Sequence, residues 1–183
     1  MREKSRTIYR LIVIATCVAF LTMCSWITFP FVVSFSLQLF AVFLICGCFS
    51  PTISVSAVAL YILLGLIGAP VFSGFSSGSS AFAGASGGFI LSFVLVSIII
   101  SAFRKYYSKN IFSYVLTMSV SLIVCYICGT VWYMYVFSYP SPCSVGAALT
   151  VCVLPFIIFD AIKILLAALA LKKLQPFINK LPL

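Results

Sequence analysis

Asp160 and Lys163 stand three residues apart in VCVLPFIIFDAIKILLAALALKK (151–173), and no other charge lies between Lys109 and Lys172. On a helix, residues i and i+3 face the same side, so both groups can act on one object. A carboxylate accepts N–H donors and an ammonium donates to a carbonyl or an anion. Together they suit a molecule that offers N–H and C=O close together, such as a cyclic urea, or a small carboxylic acid. An ionised group at bilayer depth costs about 2.5–3.5 kcal/mol on insertion scales. A mutual, purely structural salt bridge is the plainer alternative. Burying such a pair rarely gains stability over apolar residues of similar volume, so ligand binding is the stronger reason to keep it.

Other reactive groups are scarce. The chain has no His, and its only acids are Glu3 and Asp160. Without a second internal carboxylate or a nucleotide loop, no catalytic arrangement is expected, and no cofactor. The eight cysteines (17, 24, 46, 48, 125, 128, 143 and 152) mostly fall inside apolar runs. They read as small packing residues rather than zinc ligands, because lipid-embedded helices hardly supply the polar shell a metal needs. "GASGG" at 84–88 leads into an apolar run but lacks the Lys-Ser or Lys-Thr of a phosphate loop. Backbone N–H groups near Ser86 and Gly87, at a helix start, can face an acceptor; a flexible connector is the alternative. Gln38, the only Gln within an apolar run, can bond a ligand or a neighbouring helix. Ala15 and Ala19, in "ATCVA", form a small-residue ridge on which another helix can pack closely.

The elements that must position these groups follow from composition. Of 183 residues, 64% are hydrophobic and 7% charged, and the mean hydropathy is +1.29. A soluble domain of this size carries roughly a quarter charged residues. Lipid is therefore the outer solvent, and residues 1–183 read as one polytopic membrane domain. Breakers and charges divide it into six apolar segments, near 8–28, 36–49, 53–68, 88–103, 111–135 and 146–171. The first keeps its place as a membrane helix, since no small-x-small cleavage site follows it. The Gly/Ser-rich stretch 68–88 is too flexible for a long helix. Pro155 interrupts the last segment, so 143–156 is expected to be partly irregular, with a straighter helix starting near 156–160. Asp160 would then sit in a first helical turn, where partial positive charge favours a carboxylate.

The net charge of +9 is topological. Ten of the eleven basic residues fall in three clusters: Arg2, Lys4, Arg6 and Arg10; Arg104, Lys105 and Lys109; Lys172, Lys173 and Lys180. With six spans, all three clusters share one face, which is the cytoplasmic one by the positive-inside rule. The opposite connections, 29–35, 69–87 and 136–145, carry no charge. No basic face suits a phosphate backbone, so nucleic acid is not an expected partner. The expectation is an all-α protein of six transmembrane helices, multi-pass in the cell membrane, with both termini cytoplasmic.

Four stretches resemble the BioY family, the biotin-binding S components of energy-coupling factor (ECF) vitamin transporters: PFVVSFSLQLFAVFL (30–44), LYILLGLIGAPVFSGFSSGSSAFAGASGGFILSF (60–93), ICGTVWYMYVF (127–137) and VLPFIIFDAIKILLAALA (153–170). The resemblance implies a six-helix S-component bundle enclosing a vitamin pocket near the outer face. It implies biotin as substrate, with Asp160 and Lys163 matching the family's Asp-x-x-Lys; Gln38, Ser86 and Gly87 stand beside them as the further candidate substrate contacts. It also implies that the Ala15/Ala19 ridge faces a transmembrane coupling subunit, with energy supplied by ATP-binding subunits, dedicated or shared, or uptake carried out by the chain alone. Two departures stand out: "GASGG" replaces Gly-Pro-Thr-Gly-Gly, and Ile158-Phe159 replace the Pro-Gly before the Asp. Rival readings are a transporter subunit of the same fold for another small vitamin or acid, and a non-transporting membrane scaffold.

Overall fold

In a bilayer every backbone N–H and C=O must find its partner inside the protein, so apolar runs of this length become helices. The computed structural model describes residues 2–29, 32–104, 111–136 and 144–178. In chain order the helices are α1 (Arg2–Trp26), α2 (Gln38–Cys48), α3 (Pro51–Leu66), α4 (Gly78–Ala83), α5 (Gly87–Ala102), α6 (Ile111–Val136), α7 (Val145–Cys152) and α8 (Ile157–Ile178). Two short strands, β1 (Thr28–Phe29) and β2 (Phe35–Ser36), pair antiparallel between α1 and α2, Thr28 opposite Ser36 and Phe29 opposite Phe35.

All six expected segments are helical. The middle four agree with the sequence reading to within two residues, whereas α1 begins earlier and α8 runs on past residue 171. Both extensions are Lys/Arg-bearing, and these residues are good helix formers, so the helix does not stop where hydropathy does. Lys105, Lys109 and Lys180 lie outside the described residues. The 68–88 stretch is not one long helix, as expected, although it forms a 3-10 turn at Ser73–Phe75 and the short α4. Its entry is made by Gly68, whose φ of +103° ends α3 in a conformation that favours glycine.

The residues Arg6–Trp26 and the helix α6 are each long and apolar enough to cross a membrane, and α7 with α8 forms a third such unit, bent by 47°. The helices α2, α3 and α5 have 11, 16 and 16 residues. At 1.5 Å rise per residue, α2 covers only about 16 Å, roughly half of a hydrocarbon core. It is also the centre of the bundle. It packs against α8, α5, α1 and α3, and nine of its eleven residues are buried. The longest apolar stretches of α1 and α6 are only 28% buried. Their outward faces present Leu11, Ile12, Leu116, Ile123, Ile127 and Val131, as lipid contact requires.

Most buried hydroxyls are satisfied at short range, Ser101 and Thr130 excepted. Ser92, Ser97, Thr117 and Ser121 each donate to a carbonyl three or four residues earlier in the same helix. Others tie helices together: Ser54 donates to the Ile45 carbonyl across α2–α3 at 3.2 Å, and the Tyr114 hydroxyl of α6 to the Phe43 carbonyl of α2.

The α5–α6 contact is close because glycine stands on both sides. A Cβ at Gly88 would meet the Trp132 side chain and lie 2.9 Å from the Cys128 carbonyl, and one at Gly129 would enter the Phe89 ring. Gly88→Val is expected to cost about 1–3 kcal/mol by overpacking. Thermal unfolding of the detergent-purified variant should show a lowered midpoint.

Candidate functional site

The break expected around Pro155 sets the site. Ser144 caps α7, accepting from the Ala147 N–H at 3.2 Å. The helix ends at Cys152, and the chain turns through Val153–Phe156 before α8 begins. Asp160 lies in the first turn of α8 and its N–H bonds the Phe156 carbonyl at 2.8 Å. The bend thus brings a buried carboxylate to the positive end of a helix.

Asp160 and Lys163 are 4% and 5% exposed, and they form the only ion pair among the described residues, with Lys163 Nζ 2.8 Å from Asp160 Oδ1. The second carboxylate oxygen is taken as well. Tyr126, from α6, donates its hydroxyl to Asp160 Oδ2 at 2.6 Å. The ammonium of Lys163 also stands 3.9 Å from the centroid of the Phe35 ring, a cation–π contact. Phe35 reaches it from β2 and packs on Phe156 and Phe159, with ring centroids 6.0 and 5.0 Å apart.

A second polar cluster is built around Gln38 at the start of α2. Its Oε1 accepts from Ser36 at 2.9 Å and Ser73 at 3.0 Å, and its Nε2 donates to the Tyr61 hydroxyl. Tyr61 donates in turn to the Val71 carbonyl at 2.9 Å, which also accepts from Ser25 of α1. Gln38 therefore bonds a neighbouring helix through Tyr61 of α3, and it also lines the cavity described next.

Asp160, Lys163, Gln38 and Ser86 line one cavity, together with Phe35, Ser73 and Tyr126. Its volume is about 60 Å³, space for a handful of waters at about 10–15 Å³ each. A larger cavity of about 360 Å³ lies elsewhere, between α1, the end of α2 and the end of α8. That one is lined by residues such as Phe20, Leu44 and Leu174 and holds no charged group, so size does not identify the chemical site. Ala15 and Ala19 are exposed on α1, beside Thr16 and Phe20 of this apolar groove.

Gly87 does not join the lining. Its N–H is spent on the Gly84 carbonyl at 3.2 Å, and a Cβ there would meet the Phe82 carbonyl and the Trp132 indole nitrogen. Its role here is close packing, and the helix-start N–H expected to face a ligand is used inside the turn. Tyr126 and Phe35 are the site residues that sequence reasoning missed. Tyr126 is one of several tyrosines in an evenly apolar run, and Phe35 one of many phenylalanines, so no local signal marks either.

Removing Lys163 leaves a buried carboxylate supported only by Tyr126. Lys163→Ala should cost about 3–5 kcal/mol, whereas Asp160→Asn with Lys163→Met should recover most of it, because the desolvated charges then vanish together. Unfolding of the ligand-free proteins reads both.

Comparisons with known proteins bear on the family and the fold. The BioY family matches residues 1–180. The chain is 35% identical over 163 residues to the Biotin transporter BioY of Thermotoga maritima, covering 86% of this chain and 92% of that protein. It is 30% identical over 164 residues to the Biotin transporter BioY2 of Lactococcus lactis, covering 88% and 87%. Its fold resembles the crystal structure of the S-component for biotin from an ECF-type ABC transporter, with a TM-score of 0.84, 23% identity, and 94% and 93% of the two chains covered.

Proposed function

The chain belongs to the BioY family, and from that premise we propose that it is a membrane-embedded transporter subunit that captures biotin at the outer face for uptake. It is a transport protein rather than an enzyme. The observation that carries the binding chemistry is the buried Asp160–Lys163 pair facing a cavity, with the two polar atoms 2.8 Å apart. A cyclic urea holds each N–H on the same edge as its C=O. Asp160 accepts the N–H and Lys163 donates to the carbonyl, so one edge of the ring meets both charges. Gln38, Ser73 and Ser86 supply neutral hydrogen-bonding groups, and Phe35 and Phe156 supply apolar wall, the usual division of labour in a small-molecule pocket. The cavity is small for a ligand of biotin's size, and Phe35 rests on Lys163 at its wall.

Six spans, counting α7 with α8 as one, put both termini in the cytoplasm and the 69–87 connection outside, next to the binding groups. The exposed Ala15/Ala19 ridge is the surface we assign to the transmembrane coupling subunit of an ECF-type assembly, whose ATP-binding subunits power uptake. Support comes from the solved neighbour, described as an S-component of an ECF-type ABC transporter.

Two measurements test this. Asp160→Asn and Lys163→Ala should each weaken biotin binding to the purified chain about a hundredfold or more in calorimetry, because each leaves a buried charged partner unpaired. Unchanged affinity in both would eliminate the assignment, and displacement of biotin by another vitamin at lower concentration would redirect it. For topology, with Cys143 of the outer 136–145 connection replaced by serine, a membrane-impermeant maleimide should label Ser77→Cys in intact cells and label Lys173→Cys only after permeabilisation.

A further inference from the structure

The Asp160 carboxylate is held from two helices. Lys163, on its own helix α8, takes Oδ1 at 2.8 Å, and Tyr126, on α6, takes Oδ2 at 2.6 Å. Two donors on different oxygens fix both the position and the rotation of the carboxyl plane. A lone Lys163 leaves it free to turn about its Cβ–Cγ bond, because a flexible ammonium follows either oxygen. A carboxylate has about four lone-pair sites, so the bonds to Lys163 and Tyr126 leave acceptor capacity in a defined direction.

Tyr126 lines the same cavity as the pair and is half-buried, so its ring is also wall. Among the described residues its phenol makes one hydrogen bond, to Asp160, and that bond is charge-assisted. We propose that Tyr126 is a positioning residue for Asp160 and a determinant of specificity, locking the carboxylate so that it selects ligands with an N–H beside a carbonyl. This rests on the biotin reading above. Without the phenol, Asp160 can rotate toward Lys163 and satisfy itself with both oxygens. Its acceptor direction is then lost, and with it the penalty for ligands that lack the N–H.

The test compares biotin with a biotin derivative N-alkylated on the urea, using the full-length chain in lipid nanodiscs. Binding is measured for the wild type and for Tyr126→Phe. The variant should bind biotin about tenfold or more weakly, the loss expected for a hydrogen bond to a charged group. It should lose much less affinity for the N-alkylated derivative, so the ratio of the two affinities shrinks by about fivefold or more. Tyr126→Leu, which also lacks the hydroxyl, should move the ratio the same way and serves if Tyr126→Phe folds poorly. A purely structural tyrosine lowers both affinities equally and leaves the ratio unchanged, which would overturn the proposal. Biotin affinity equal to wild type in the variants would overturn it too. Failure of the wild type itself to bind biotin is a separate outcome, and it would sink the functional reading on which this one stands.

Discussion

An ionised carboxylate and an ammonium buried among lipid-facing helices are the costliest feature of this molecule, and much of the architecture answers to them. The pair is tolerable because each charge is met at close range by the other, by a phenol and by an aromatic face. Those partners come from β2, α6 and α8, so three separate parts of the chain must converge on one point. The convergence explains the broken last segment. A straight helix through Pro155 would keep Asp160 inside a continuous ladder. The 47° bend makes a fresh helix start and brings its positive end to the carboxylate.

The same economy governs the bundle. A membrane protein gains nothing by hiding apolar side chains from lipid, so close approach must come from small residues and from internal hydrogen bonds. Gly88 and Gly129 let α5 and α6 touch, and Gly65 leaves room for the Phe72 ring. The short central α2 is held by bonds from Ser54 and Tyr114 to its carbonyls and by its own Gln38 to Tyr61. The Tyr61–Val71–Ser25 bonds extend that network to the end of α1. The cavity is therefore framed by satisfied polar groups, and the apolar groove beside Ala15 and Ala19 has none of that chemistry.

Legibility differed between the fold and the site. Segment positions, the break before Asp160 and the membrane environment were readable because hydropathy, proline and charge act locally and strongly. Gln38 and Ser86 were readable as candidates because polar groups in apolar runs are rare. Gly87 packs against Trp132, and in sequence a glycine that lets backbone approach a ligand looks identical to one that lets a helix approach an indole. Tyr126 went unseen because its importance is a relation to Asp160, thirty-four residues away.

From the sequence alone came the membrane as the solvent around the chain, the positions of its apolar helical segments and the placing of Asp160 and Lys163 on one helix face. Each depends on spacing along one strand of chain, where a helix's geometry is known in advance. Only the tertiary structure decided what the pair faces, which aromatic groups cap it and how small the cavity beside it is. Those are contacts between helices, and an apolar surface with nearly uniform chemistry on every side does not announce which neighbour it will meet.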